Sequence, residues 1–548
     1  TLHMAADPAG SRGTTAADAA ETVTTQDGSA THASDQNAPD RPRRGGIGNR
    51  ALDFVEKAGN ALPHPATLFA ALAVLVVLLS WLFSTLGVTA EDPVEGGQIE
   101  VFNLLSPEGV QWMFSSAVDN FVGFAPLGVV LATMLGIGMA EQSGLIGTVL
   151  RQFILSVPKF LITAGIVFAG VMSSVASDAG YVVLPPLAAI LFMAVGRHPL
   201  AGLAAAFAGV SAGFSANLLL SGTDVMLGEL TIEAAATVDG AYADGMNLAM
   251  NYWFIIASTF LLTIVGTLVS QFIVEPRLGP WKGEGRIEDE DVQLSAVEKK
   301  GLVWATVSGV VTVALLALLI VPEWGLLRGE DGGVVQSPFM DSLVVVIIIA
   351  FFVPGLVYGI VTKVIRNDTD VVDQLSQTLA GMAVFLVLAF TAGQFIAYFN
   401  ESKLGLLLSV LGSQFLESIN LTGIPLVVAF IAFVSVVNLF VGSASAKWAM
   451  LAPIMVPIMM QLGISPEFTQ AAYRVADSST NILSPLMTYF ALIIAGAQKY
   501  DKKMGIGSLI ATMLPYSIAF LVTWSMMTMG WYWLDLPLGP NAPVTYTP

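Results

Sequence analysis

The chain has 548 residues, 55% of them hydrophobic and only 12% charged, and its mean hydropathy is +0.73. Many of its apolar runs reach the ~20 residues a helix needs to cross a bilayer, so the composition excludes an ordinary soluble enzyme and reads as one all-α polytopic membrane domain. The net charge of −18, much of it in the N-terminal tail and the loops, argues against nucleic acid as a partner; with no Cys and four scattered His, a thiolate or helix-borne metal site is excluded too.

Residues 1–45 are rich in Ala, Thr, Asp and Gly and are expected to be a disordered cytoplasmic tail, with Thr1–Met4 a tag remnant. A first repeat is expected over 46–274. It holds TM1 at about 65–87, TM2 at about 118–140, an amphipathic piece at 143–156, a hairpin (HP1) at 158–195 with its tip near 174–181, TM3 at 199–228 broken near Ser215–Asn217, and TM4 at 249–273. A polar cytoplasmic linker and TM5 (about 300–322) fill 275–322. The second repeat, 323–535, holds TM6 (340–363), TM7 (375–398), an amphipathic piece (401–418), a hairpin HP2 (424–461) with its tip near 442–447, TM8 (466–497) broken near 478–481, and TM9 (506–533). Residues 536–548 form an extracytoplasmic tail.

Charge bias supports this layout. With the N-terminus inside, eighteen Lys and Arg fall in inner loops and two, Arg328 and Lys403, in outer ones, provided both hairpins re-enter rather than cross. The halves echo each other: Ser-Ala-Asn-Leu-Leu (215–219) matches Ser-Thr-Asn-Ile-Leu (479–483), and Ser177 and Ser445 each precede a Pro by eight residues. A lone TM5 between two four-crossing units inverts the second copy. The expectation is nine transmembrane helices, two oppositely oriented re-entrant hairpins and broken helices around a midplane site.

Charges at membrane depth are costly and mark pathways or partners. Asp178 at the HP1 tip is either an ion, proton or substrate site or a helix cap. Ser177, Asn217, Ser443, Ser445, Ser478 and Asn481, with Ser215, offer the hard oxygens that Na⁺ prefers, or they merely satisfy broken backbone. Arg474 and Asp477 share a helix face, as an internal ion pair or as a guanidinium for a substrate carboxylate with its orienting acid. Lys447 either snorkels or pairs with a carboxylate. Trp448 offers a ring face or packs. Pro453, Pro466 and Pro485 are expected to end or bend helix segments. Asp224 and Glu229 read as solvated residues toward the outer end of TM3. Gly209–Gly213 fits a nucleophile elbow in letters only, since no strand or triad His accompanies it; close helix packing explains it better. No cofactor and no enzymatic set is expected.

The stretches SASAKWAMLAPIMVPIMM (443–460) and YRVADSSTNILSPL (473–486) resemble the AbgT family of p-aminobenzoyl-glutamate transporters, and the resemblance extends over about 50–535. It implies a homodimer in the bacterial inner membrane, with functional positions at Asp178, Ser445, Trp448, Pro466, Arg474, Asp477 and Pro485. It also implies an aromatic carboxylate substrate, Trp448 stacking on the ring and Arg474 gripping a carboxylate, for folate-fragment uptake or sulfonamide-type efflux coupled to Na⁺ or H⁺. The rivals are a Na⁺-coupled dicarboxylate carrier and a channel.

Overall fold

The computed structural model describes residues 64–91, 97–176, 179–281, 293–329, 332–334, 337–484, 487 and 489–547. The expected tail 1–45, the tip residues Ser177 and Asp178, and Pro485 lie outside the described residues.

Helix α1 (Pro65–Leu86) leads into a small antiparallel ribbon, β1 (Thr89–Glu91) and β2 (Gln98–Glu100). Next come α2 (Pro107–Val122), α3 (Ala125–Gln142), α4 (Leu145–Ser156), α5 (Ile162–Met172) and α6 (Ala179–Ala194). The expected TM2 is thus longer than 118–140: α2 starts eleven residues earlier, capped by Ser106, whose Oγ accepts from Gly109 N, with Pro107 at the first helical position. Helix α7 (Pro199–Phe207) runs into a π turn, Ala208–Ala212, and the chain then leaves the helix until α8 (Gly222–Ala236). That break contains Ser215–Asn217, as expected. A short α9 (Gly240–Asp244) precedes α10 (Tyr252–Val269), which ends in a π turn and α11 (Glu275–Leu278).

The rest comprises α12 (Ala296–Ile320), α13 (Pro338–Asp341), α14 (Leu343–Thr362), α15 (Asp368–Gly381), α16 (Ala383–Glu401), α17 (Leu404–Ser418), α18 (Gly423–Asn438), α19 (Ala444–Gln461), α20 (Pro466–Asn481), α21 (Phe490–Gln498) and α22 (Ile506–Trp533). The described residues hold seven helices long and apolar enough to cross a membrane, or nine if two bent pairs count as spans. In the bent pairs, α4 meets 159–175 at 115°, and α17 meets α18 at 117°.

Three boundaries near the site differ from expectation. The turn between α18 and α19 covers 439–443, where the sequence placed a tip at 442–447, because Ser443 caps α19 by accepting from Ala446 N at 3.3 Å, which puts Lys447 inside the first turn. Helix α20 continues through Ser478–Asn481 and breaks after it. There Ser479 and Thr480 donate to the carbonyls of Val475 and Ala476, so the hydroxyls that suggested broken backbone are satisfied within the helix. Pro466 does not end a helix; it sits in the first turn of α20 behind the cap Ser465, where its missing N–H costs nothing, and Pro453 lies within α19.

Helices α7 and α20 are innermost. All sixteen residues of α20 and all nine of α7 are buried, whereas α12 buries only Gly301, Ala305 and Thr312. That is the membrane arrangement: apolar side chains face lipid on the long helices, and small residues make the helix contacts. Gly209 shows the need for smallness, since an added Cβ would lie 2.5 Å from the Val167 carbonyl and 3.0 Å from Gly170 Cα. At the start of α20 the C-terminal segment acts as a strap. Ser465 donates from N to Val544 O at 3.1 Å and from Oγ to Pro543 O at 2.6 Å, and Leu538 and Val544 are buried.

Candidate functional site

The two breaks meet. Ser215 N, freed by the first break, donates to Ser478 Oγ at the end of α20 at 3.1 Å, and Ser211 Oγ lies 3.1 Å from Met487 Sδ. Asn217 is held by neutral partners: its Nδ2 donates to Ser174 Oγ at 2.8 Å, and its Oδ1 accepts from Leu219 N at 3.0 Å. Hydroxyl and amide groups here replace the hydrogen bonds a continuous helix would have made.

Beside this junction lie four buried charges in two pairs. Lys447 Nζ sits 2.5 Å from Asp477 Oδ1 with both side chains fully buried, and Arg474 Nη1 donates to Asp224 Oδ1 at 2.7 Å. The internal Arg474–Asp477 pair allowed by the sequence is therefore replaced by two cross-helix pairs. Within one turn the two side chains can share a face, but each finds a partner on another helix at shorter range. Asp224 is not solvated. Its Oδ2 accepts from Ser221 N and Ser221 Oγ at 2.6 and 2.7 Å, a capping box at the start of α8, while Oδ1 faces the guanidinium. Glu229, by contrast, is half-buried. Lys447 does not snorkel; its second partner is Asn438 Oδ1, and Asn438 Nδ2 ties the end of α18 to Asp477 O and to Thr480 Oγ1 at 2.5 and 2.7 Å.

The pairs are incompletely coordinated. Arg474 Nε, Asp477 Oδ2 and Asn481 Oδ1 are buried and have no hydrogen-bond partner. A buried polar group left unmet costs about 1–3 kcal/mol, more when charged. Trp448 is buried, donates from Nε1 to Thr231 Oγ1 at 3.0 Å, and packs on Tyr473 with ring centroids 4.4 Å apart at 33°. Tyr473 OH donates to Ala444 O at 2.6 Å, joining α20 to the first turn of α19. Ser443 and Ser445 hydroxyls are 3.1 Å apart, and Ser445 lines a cavity of about 280 Å³ with Gly222, Thr223, Met226, Glu141 and Gln377.

Of the residues singled out in the sequence, the structure brings Ser443, Ser445, Lys447, Trp448, Arg474, Asp477, Ser478 and Asn481 onto α19 and α20, with Asn217 and Ser215 at the junction. Pro453 lies within α19 and Pro466 in the first turn of α20, and neither side chain carries a polar atom. Sequence reasoning misread Asp224 as solvated and passed over Asn438, Thr231 and Tyr473. Ser221-Gly-Thr-Asp224 ahead of an apolar run is a capping-box signature, and Asn438 is a lone amide ending an apolar arm; both signals were available.

Comparison with known proteins agrees with this architecture. The AbgT transporter family model matches residues 50–546. The p-aminobenzoyl-glutamate transport protein of Escherichia coli (strain K12) is 40% identical over 492 residues, 89% of this chain and 96% of that protein. The YdaH transporter of Alcanivorax borkumensis, whose crystal structure shows an unusual topology, is 44% identical with a TM-score of 0.83, covering 87% of this chain and all of that one. MtrF of Neisseria gonorrhoeae, whose structure illuminates a class of antimetabolite efflux pumps, is 44% identical with a TM-score of 0.84, covering 90% and 100%. The family and these relatives are transporters rather than enzymes, and this multi-pass helical chain belongs to the AbgT family of transporters.

Proposed function

We propose that the chain is a secondary active carrier of p-aminobenzoyl-glutamate-like aromatic carboxylates, working as a homodimer in the bacterial inner membrane by alternating access. The observation that carries this is the pair of buried, incompletely coordinated ion pairs where the two helix breaks meet. Arg474 holds a substrate carboxylate, exchanging or sharing it with Asp224, and a guanidinium fork suits a carboxylate better than an ammonium does. Trp448, already packed against Tyr473, receives the aromatic ring when that stack opens. The family relationship supports the substrate class, and the E. coli relative is named for p-aminobenzoyl-glutamate.

The two bends of 115° and 117° support the reading of two opposed hairpins in an inverted repeat, with the N-terminus inside and nine crossings. For coupling, we favour H⁺ over Na⁺. Of the neutral oxygens expected to bind Na⁺, those of Ser478, Asn217 and Ser443 are already engaged with backbone, whereas Ser215 Oγ and Asn481 Oδ1 are unmet and stay available to a cation. Lys447–Asp477, with Asp477 Oδ2 unmet, is a pair that one proton can open. Asp178 is kept as a coupling and substrate-site residue and Pro485 as a substrate-site residue, both at positions the family resemblance implies are functional.

The test is equilibrium binding of p-aminobenzoyl-glutamate to purified protein. Arg474→Ala would leave Asp224 as an uncompensated buried charge, so the informative variant is Arg474→Lys, which keeps the charge and removes the fork. Its affinity is expected to fall about tenfold or more with the fold retained. Unchanged affinity would remove Arg474 from the substrate site, and tighter binding of an aliphatic dicarboxylate would favour a dicarboxylate carrier.

A further inference from the structure

Helix α20 carries a polar stripe that the ion pairs do not account for. Glu467, Gln470, Arg474, Asp477 and Asn481 are spaced three, four, three and four residues apart, which puts them on one face of the helix. All five are buried. At the outer end Glu467 is satisfied, its Oε2 accepting from Tyr242 OH at 2.9 Å. Gln470 is not: it is 0% exposed, and neither its Oε1 nor its Nε2 has a hydrogen-bond partner. The next three residues along the stripe each present one unmet buried atom.

A carboxamide is an expensive group to bury unused, since an apolar side chain of the same shape would avoid the loss of its hydrogen bonds to water. Its placement one turn from the Arg474 guanidinium gives it a use. A carboxamide offers an acceptor oxygen as well as donors, and that oxygen can receive the N–H of another amide. The substrate class proposed above contains one: the amide bond joining the aromatic ring to the glutamyl group, a few bonds from the carboxylates Arg474 would hold.

We propose that Gln470 is a specificity-determining residue whose carboxamide hydrogen-bonds the amide linking the aromatic and glutamyl halves of the substrate. This rests on the substrate reading above. Gln470 Oε1 accepts the substrate N–H. A site built this way rejects an analogue lacking the N–H, because Oε1 is then left buried and unpaired.

The experiment is a binding cycle on the full chain in detergent. The probes are p-aminobenzoyl-glutamate and the ester analogue in which the amide N–H is replaced by oxygen; the proteins are wild type and Gln470→Met, with Gln470→Leu as a second variant. Wild type is expected to prefer the amide by about tenfold or more, and Gln470→Met to bind the two probes equally. The variants are expected to unfold at or above the wild-type temperature, because no protein hydrogen bond is removed. Equal loss of both probes in the variants, or an unchanged amide preference, would overturn the role. So would a lowered unfolding temperature in both variants, which would make Gln470 structural. A wild type that prefers neither probe would mean the niche holds only water. A wild type that binds neither probe would instead refute the substrate reading itself.

Discussion

The two places where helices break solve the same backbone problem with different chemistry. At 213–221 the freed groups are met by neutral side chains: Ser174 Oγ donates to Ala216 O, Asn217 Oδ1 accepts from Leu219 N and, across the junction, Ser478 Oγ accepts from Ser215 N. Around 438–481 the chain also buries Lys447, Arg474 and Asp477, and the first half answers with one carboxylate, Asp224. The contrast teaches that a broken membrane helix needs hydrogen bonds, not charges. Buried ion pairs are weak evidence for stability, since apolar residues of similar volume often do as well or better. The charges in the second half are therefore best explained by what they bind and move.

Single substitutions in the charged region should break the contrast most severely. Lys447→Met leaves Asp477 buried and unpaired and should cost about 3–5 kcal/mol, read as a large drop in the detergent unfolding temperature. Adding Asp477→Leu to that variant should restore most of the stability while abolishing transport; if the pair is purely structural, the double variant transports. Asn217→Ala, at the neutral break, removes hydrogen bonds to Ser174 and Leu219. It should cost about 1–2 kcal/mol with transport reduced but present, and complete loss would place a coupling role in the first half. Ser465→Ala removes the cap of α20 and its bond to the C-terminal strap. It should cost about 1 kcal/mol without changing substrate affinity, as measured by thermal unfolding alongside binding.

The sequence was most legible where one property dominates locally. Long apolar runs located α1, α10, α12, α14 and α22 to within a few residues, because lipid-facing helices show their hydropathy directly. Helix α2 was missed because Glu108, Trp112, Ser115 and Ser116 dilute its apolar signal. The break in TM8 was set too early because a run of Ser, Thr and Asn looks the same whether it lines a break or bonds back to its own helix. Pairing was the least legible. The three-residue spacing of Arg474 and Asp477 pointed to a local ion pair, while their actual partners lie on α8 and α19 and only packing selects them. Glu467 and Gln470 belong to the same stripe, but their significance needed the burial of every residue of α20, which a sequence with so polar a helix does not announce.

The central claim is that the charged region of the second half performs coupled transport. The most direct measurement is accumulation of p-aminobenzoyl-glutamate in proteoliposomes under imposed H⁺, Na⁺ and no gradients, for wild type and for the Lys447→Met/Asp477→Leu double variant. The account predicts accumulation by wild type under a proton gradient alone and none by a folded double variant. Equilibration of wild type without any gradient dependence, or undiminished accumulation by the double variant, would contradict it.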